Sequence, residues 1–378
     1  MKKFAFFVLS FFSMIVFAQT ISLTGKAERE FKNQLKIISV FNSEYNSDAK
    51  VDDSVAVVNN QFVFKIPKTK DTFYYPYQFV EAISSRSFYE SSTFYLGSND
   101  EVVRIDKENF DVDYTKETSV AKDFRKYRVF TSSIKNDKQN AVRPVHEAIE
   151  KYGRDNIPKE ILDVYFSTLE KLEAKENFMK KEFVKKNPNS IVGFWEMVLL
   201  FRAKGYLEVF DDLESVFSPT IKKQNAAKIF FEKIRNGKLL KDGEKFPSAK
   251  LKSINLDAID LEFPKAKYTL VDFWFSSCVP CLQEIPKLKE LYKEYQPKGF
   301  EIVSIGTDQT KFVKNLQKVI SERGLTWKNV YDENGKQSTQ WGISSYPTKY
   351  LLDENGVILK KNPSLEEVEE LLKKKLKD

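Results

Sequence analysis

Cysteine and histidine are the scarce residues of this chain. Its 378 residues include two cysteines, Cys278 and Cys281, and one histidine, His146. A structural zinc ion takes four ligands, so the three residues cannot furnish such a site, and no metal is expected. His146 lies on a helical pattern far from the cysteines and reads as a surface or satisfied polar residue. Long apolar runs are also missing beyond residue 17, so no later segment is expected to cross a membrane. Nor does charge of one sign accumulate. The formal net charge is +7, two of the lysines lie at the extreme N-terminus, and acids and lysines are interspersed. That pattern describes a solvated mixed surface rather than a nucleic-acid footprint.

The apolar stretch at residues 4–17 is preceded by Lys2 and Lys3 and followed by Val16-Phe17-Ala18. It reads as a secretory signal peptide, residues 1–18, removed before Gln19. No cysteine stands near the cleavage point, which excludes a lipoprotein anchor. The expected location is therefore periplasmic or otherwise extracytoplasmic, and soluble.

Three patterns follow. Residues 19–116 carry short apolar or alternating runs at 35–41, 55–58, 61–66, 73–79, 93–96 and 101–105. Asn59-Asn60 stands as a tight turn, and polar breaks separate the other runs. These features predict an all-β module, an antiparallel sandwich or barrel-like sheet. It has no cysteine, histidine or glycine-rich phosphate loop, and no chemistry is expected of it. Residues 117–238 switch to apolar spacings of three and four, predicting helices at 142–151, 159–182, 190–203 and 224–234. They read as a helical domain with a packed core, in preference to a peptide groove. Residues 239–378 alternate strand and helix patterns and end in a hairpin at Asp353-Glu354-Asn355-Gly356 and a helix capped by Ser364. They predict an α/β domain, a central mixed sheet with flanking helices. With 32 Phe and 17 Tyr, the cores should be built largely on rings.

Cys278-Val279-Pro280-Cys281 lies between the buried-strand run 268–275 and a helical pattern at 283–295. The spacing alone fits a staple, half a metal site or a redox switch. Crosslink stabilisation grows with the loop closed, and this loop is minimal, so a staple is a poor account of the only cysteine pair. A thiolate attacks a disulfide. Cys278 would sit at the helix N-terminus, where free N–H groups favour the anion, and is expected to attack. Cys281, one turn on and expected to be more buried, would resolve. That step needs a base. Asp272, within the apolar strand, would be desolvated and its pKa raised into a useful range. Glu284, one turn beyond Cys281, is the other candidate.

Val271-Asp272-Phe273-Trp274 followed by Cys278-Val279-Pro280-Cys281 resembles the thioredoxin superfamily. Glu284-Ile285-Pro286 with Leu288, Leu291 and Tyr292 is similar to its extracytoplasmic TlpA/ResA-like branch. So are Ile302-Val303-Ser304-Ile305-Gly306 with Asp308, and Tyr346-Pro347-Thr348 ahead of Leu351-Leu352-Asp353. The regions upstream resemble those of long TlpA-like proteins of Bacteroidetes. The resemblance implies a thiol-disulfide oxidoreductase with Cys278 and Cys281 as the redox pair. It implies Asp272 as the buried acid near the resolving cysteine and Glu284 as the active-site acid of the branch. Pro347 would be a cis-proline facing the disulfide, Tyr346 would offer backbone to substrate, and Trp274 would contribute to substrate binding. Implied partners are disulfide-containing proteins and a membrane thiol protein that donates electrons. No cofactor is implied. Ser277 departs from the Trp common before the first cysteine. Two other classes compete with this one. A thiol peroxidase needs Thr or Ser three residues before the attacking cysteine, where Phe275 stands before Cys278. A non-catalytic binding protein would not need the intact pair.

Overall fold

The computed structural model describes residues 20–41, 43–84 and 87–376. The signal-peptide segment expected at 1–18 lies outside them. Among the described residues, no helix is long and apolar enough to cross a membrane. The chain divides into two compact units, residues 1–126 and 127–378.

The first unit is built on two sheets. In one, the strand Thr20–Ala27 pairs antiparallel with Gln61–Pro67 and parallel with Glu101–Ile105, which carries Val112–Tyr114 on its other side. In the other, Tyr75–Ser84 lies between Leu35–Ser39 on one side and Ser87–Glu90 and Phe94–Leu96 on the other. The expectation of a wholly antiparallel module is therefore corrected. Between Pro67 and Glu101 the chain passes through the second sheet, and such a crossover is what a parallel pair requires. Strand 61–67 alternates strictly, burying Phe62, Phe64 and Ile66. The Phe62 and Phe64 rings meet Phe79 at 5.3 and 5.9 Å, and Phe79 meets Phe94 at 4.6 Å. Asn59 and Asn60 both adopt left-handed φ, 50° and 61°, the geometry a two-residue hairpin turn demands.

The helical segment contains the helices Ser119–Tyr152, Lys159–Lys186, Ile191–Lys204 and Asn225–Lys238. The first begins 23 residues before its expected start (119 against 142) and runs through Pro144. Its early turns bury Val120, Phe124, Tyr127 and Ile134, a stripe so thin between Lys, Arg, Asn and Ser that the sequence hides it. Helix 191–204 is buried nearly all round. Its Trp195 and Phe194 pack edge to face at 5.1 Å.

In the α/β domain we number the elements from its own start. They are β1 Lys250–Ser253, β2 Ala258–Asp260, β3 Tyr268–Trp274, α1 Val279–Tyr295, β4 Phe300–Gly306, α2 Val313–Arg323, β5 Lys328–Tyr331, α3 Lys336–Gln340, β6 Thr348–Asp353, β7 Ile358–Lys361 and α4 Leu365–Lys375. The sheet order is β2-β1-β5-β4-β3-β6-β7. Strand β3 is central, parallel to β4 and antiparallel to β6. Its side chains alternate between two apolar layers. Leu270 and Trp274 join α1 and α4, while Val271 and Phe273 join Tyr350, Phe246 and Trp341 on the other face. Ser364 and Glu367 close a capping box at the start of α4, and Val368 and Leu372 of that helix pack in one cluster with Leu288 and Leu291 of α1.

Candidate active site

Strand β3 ends at Trp274, a short loop follows, and Cys278 is the N-cap of α1. Pro280 occupies the first turn, where no intrahelical partner for its nitrogen is needed. Cys278 and Cys281 form a disulfide with Cα atoms 5.3 Å apart. The Cys278 Sγ accepts the Cys281 backbone N–H at 3.3 Å. A helix N-terminus thus points its free N–H groups at this sulfur, the environment that stabilises a thiolate after reduction. The expected difference in burial is not seen. Cys278 is 3% exposed and Cys281 4%, because the bond draws both sulfurs into one apolar cluster with Trp274 and Ile285. Val279 and Ser277 are exposed beside them.

The loop before Cys278 is held by a polar network. Buried Asp308 accepts from the Ser276 N–H at 3.0 Å and from its hydroxyl. Asn315 donates to the same hydroxyl at 2.7 Å. Tyr331 donates to the Asp308 carbonyl at 3.1 Å. Burial raises the Asp308 pKa, against the Ser276 hydrogen bonds that lower it.

The peptide bond between Tyr346 and Pro347 is cis, and β6 starts at the next residue. The Tyr346 ring meets Phe275 edge to face at 5.5 Å, joining this turn to the loop that leads into Cys278. The stretch before it is braced by the helical segment. Lys233 donates to the Thr339 carbonyl at 3.2 Å, and Ser344 donates to the Arg202 carbonyl. The Phe201 ring lies under Gly342, where an added Cβ would come within 2.4 Å of it. Trp274 packs in the same buried apolar cluster as the pair. At 3% exposure it lines no open surface in this state.

The two candidate acids meet through a residue the sequence did not single out. Asp272 sits on the α1-facing side of β3, 5% exposed. In register it lies beside Ser304 of β4 and Lys349 of β6. Its Oδ1 has no hydrogen-bond partner among the described residues. Burial pushes its pKa up to about 7, while Lys349 and a Ser304 hydrogen bond pull it down and Glu284 pushes it up. Lys349, 6% exposed, places its Nζ 2.9 and 2.8 Å from the two oxygens of Glu284. Glu284 is therefore an ion-paired carboxylate, and Asp272 is the buried acid with an uncommitted oxygen.

Residues 241–374 match the Redoxin family model. Thioredoxin-like protein YneN of Bacillus subtilis is 33% identical over 119 residues, covering 32% of this chain and 69% of that protein. Thiol-disulfide oxidoreductase ResA of Bacillus thuringiensis is 32% identical over 136 residues, covering 35% of this chain and 77% of that protein. The chain belongs to the thioredoxin superfamily, in its TlpA/ResA-like branch. It is an enzyme of that superfamily's thiol-disulfide oxidoreductase class. ResA of Oceanobacillus iheyensis is 32% identical, and the chain spans 65% of that relative's length. Among solved structures, the thioredoxin domain of a thiol-disulfide oxidoreductase from Bacteroides vulgatus is 27% identical, covering 36% of this chain and 99% of that one, with a TM-score of 0.33. The TlpA/ResA-like residues matched here all lie in the α/β domain. Lys349 could have been found by asking which residue would pair across the sheet with a buried strand acid. The Ser276–Asp308 tether carried no local signal, since a serine in a turn and an aspartate after a strand are common anywhere.

Proposed function

We propose that the protein is an exported reductase of protein disulfides, with Cys278 as nucleophile and Cys281 as resolving thiol. The observation that carries this is the Cys278 sulfur seated at the head of α1 and hydrogen-bonded to the Cys281 N–H. In the reduced enzyme the Cys278 thiolate attacks one sulfur of a substrate disulfide. One substrate sulfur leaves as thiolate, and a mixed disulfide forms. Asp272 takes the Cys281 proton, and the Cys281 thiolate attacks the Cys278 sulfur. The 278–281 disulfide closes, the second substrate sulfur departs, and it is protonated from Asp272 or water. Two electrons have passed to the substrate, so a thiol donor must return them. For an exported protein that donor is a membrane thiol protein. The half-buried Pro347 and the backbone at Tyr346 would receive the substrate strand. The Phe275–Tyr346 ring pair would form part of the docking surface. The leader composition at 1–18 supports export, and residues 19–116, 117–238 and 239–378 would serve as β module, helical domain and redox domain.

Cys281→Ser tests the reading. Expressed in cells, it should accumulate mixed disulfides through Cys278 that dithiothreitol releases, and Cys278→Ser should accumulate none. Wild-type protein should reduce insulin. No trapped species together with no insulin reduction would end the proposal.

A further inference from the structure

We propose that Lys349 is a positioning residue for this reaction. It fixes Glu284 as a counter-ion and leaves Asp272 to act as the proton acceptor of Cys281. This deepens the oxidoreductase reading and rests on it.

Three observations converge. First, β3 and β6 are antiparallel neighbours, and Asp272 stands opposite Lys349 in register. Alternation puts Asp272 on the side of Leu270 and Trp274, which pack in one cluster with Cys278, Cys281 and Ile285. Second, the Lys349 ammonium is buried and contacts both oxygens of Glu284 at 2.8–2.9 Å. A buried cation without such a partner would be strongly unfavourable, so the pair is held together by the burial itself. Third, Asp272 keeps Oδ1 unpartnered among the described residues. A buried acceptor with nothing to accept is costly. It is suited to a group that must receive a proton and later release it.

The arrangement divides labour between two acids that sequence leaves equivalent. Glu284 stands one turn after Cys281 on α1, but its two oxygens are occupied by Lys349. Asp272 feels both members of that pair, in opposite senses. Lys349 favours its ionised form and Glu284 disfavours it. The groups facing Asp272 are Lys349 from β6, Glu284 from α1 and the Ser304 hydroxyl from β4. Burial raises the pH at which Asp272 can accept the Cys281 proton, and an adjacent pair of opposite charges tunes it.

The opposed signs supply the test. The Asp272 carboxyl is titrated by infrared difference spectroscopy in reduced full-length protein, with Asp272→Asn identifying its band. The pH profile of insulin reduction is measured alongside. Lys349→Met should raise the proton affinity of Asp272 at least about tenfold, the lower end of the effect of one nearby opposite charge. From a wild type half-ionised near pH 7, the ionised fraction there drops about fivefold, and the rate drops with it but recovers at higher pH. Glu284→Gln should move the midpoint the other way. Lys349→Arg keeps the charge and should restore the wild-type profile, which also guards against loss of folding in the Met variant. A shift of equal sign in the Met and Gln variants, or a loss equal at every pH, would overturn the role of Lys349. Wild-type protein that reduces no insulin would instead overturn the function on which the role rests.

Discussion

Asp272→Asn should change the pH dependence of stability by a calculable amount. In the folded protein the Asp272 pKa rises from 3.8 to about 7, chiefly through burial. The folded state therefore binds this proton more tightly than the unfolded chain does. Stability from the protonated form is fully present below about pH 4 and is lost as pH rises toward about 7. Three pH units at about 1.36 kcal/mol each give a loss of roughly 4 kcal/mol. The side chain is 5% exposed, so solvent screening removes little of this. Asparagine does not ionise. Its amide brings N–H groups into the site, at a pH-independent cost of about 1–3 kcal/mol if they stay unpaired. The signature is thus a slope, not a height. The variant should be no more stable than wild type near pH 4 and should gain on it steadily up to about pH 7. The assay is urea unfolding of oxidised full-length protein, followed by tryptophan fluorescence across that range. All four tryptophans, Trp195, Trp274, Trp327 and Trp341, lie within residues 127–378, so the signal reports the unit that contains Asp272. Wild-type and variant curves that stay parallel to within about 1 kcal/mol would refute the claim that burial holds this acid protonated. The assignment of Asp272 as base would then lose its physical support.

Two further outcomes are expected. Glu101 in the first unit is fully buried, with Oε1 unpartnered among the described residues, and burial pushes its pKa up to about 7 against the pull of Thr118 and Lys116. Glu101→Gln should abolish a loss of roughly 3 kcal/mol between about pH 4.5 and 7, read as amide-exchange protection along strand 101–105 after correction for intrinsic rates; an unchanged pH dependence would contradict it. Gly342→Ala puts a side chain at φ 72° and 2.4 Å from the Phe201 ring, and should cost about 1–3 kcal/mol in urea unfolding. Insulin reduction should slow as well, because the stretch disturbed leads directly into Tyr346 and Pro347. An active, fully stable Ala variant would show that the helical brace has no bearing on the site.

What the sequence disclosed about this site was what lies close along the chain. Cys278 as helix cap, Pro280 in the first turn and Asp272 within an apolar strand each follow from a few neighbouring residues. The α/β elements were legible for the same reason, since strand and helix periods alternate over short distances. Lys349 and Glu284 are 65 residues apart, and Lys349 by itself reads as an ordinary polar residue at the start of a strand. Only the β3–β6 register gives it a partner. The same limit explains the parallel pairing of strands 20–27 and 101–105, which depends on where the intervening chain travels.

The miss over cysteine burial has a different origin. The asymmetry argued from sequence belongs to the dithiol, in which one sulfur must meet substrate. The structure holds the disulfide, and in that state both sulfurs are enclosed. Roles in the pair therefore rest on which sulfur caps the helix. Cys278 does, and it takes its hydrogen bond from the N–H of the residue that will attack it to release the substrate. An anion formed at Cys278 gains that bond and the helix dipole, whereas Cys281 sits within the first turn and gains neither from its own helix. To become a nucleophile, Cys281 needs a base. Helix α1 carries one acid already occupied by a lysine, and β3 carries one with a free oxygen, which is why the cation on β6 bears on the chemistry at α1.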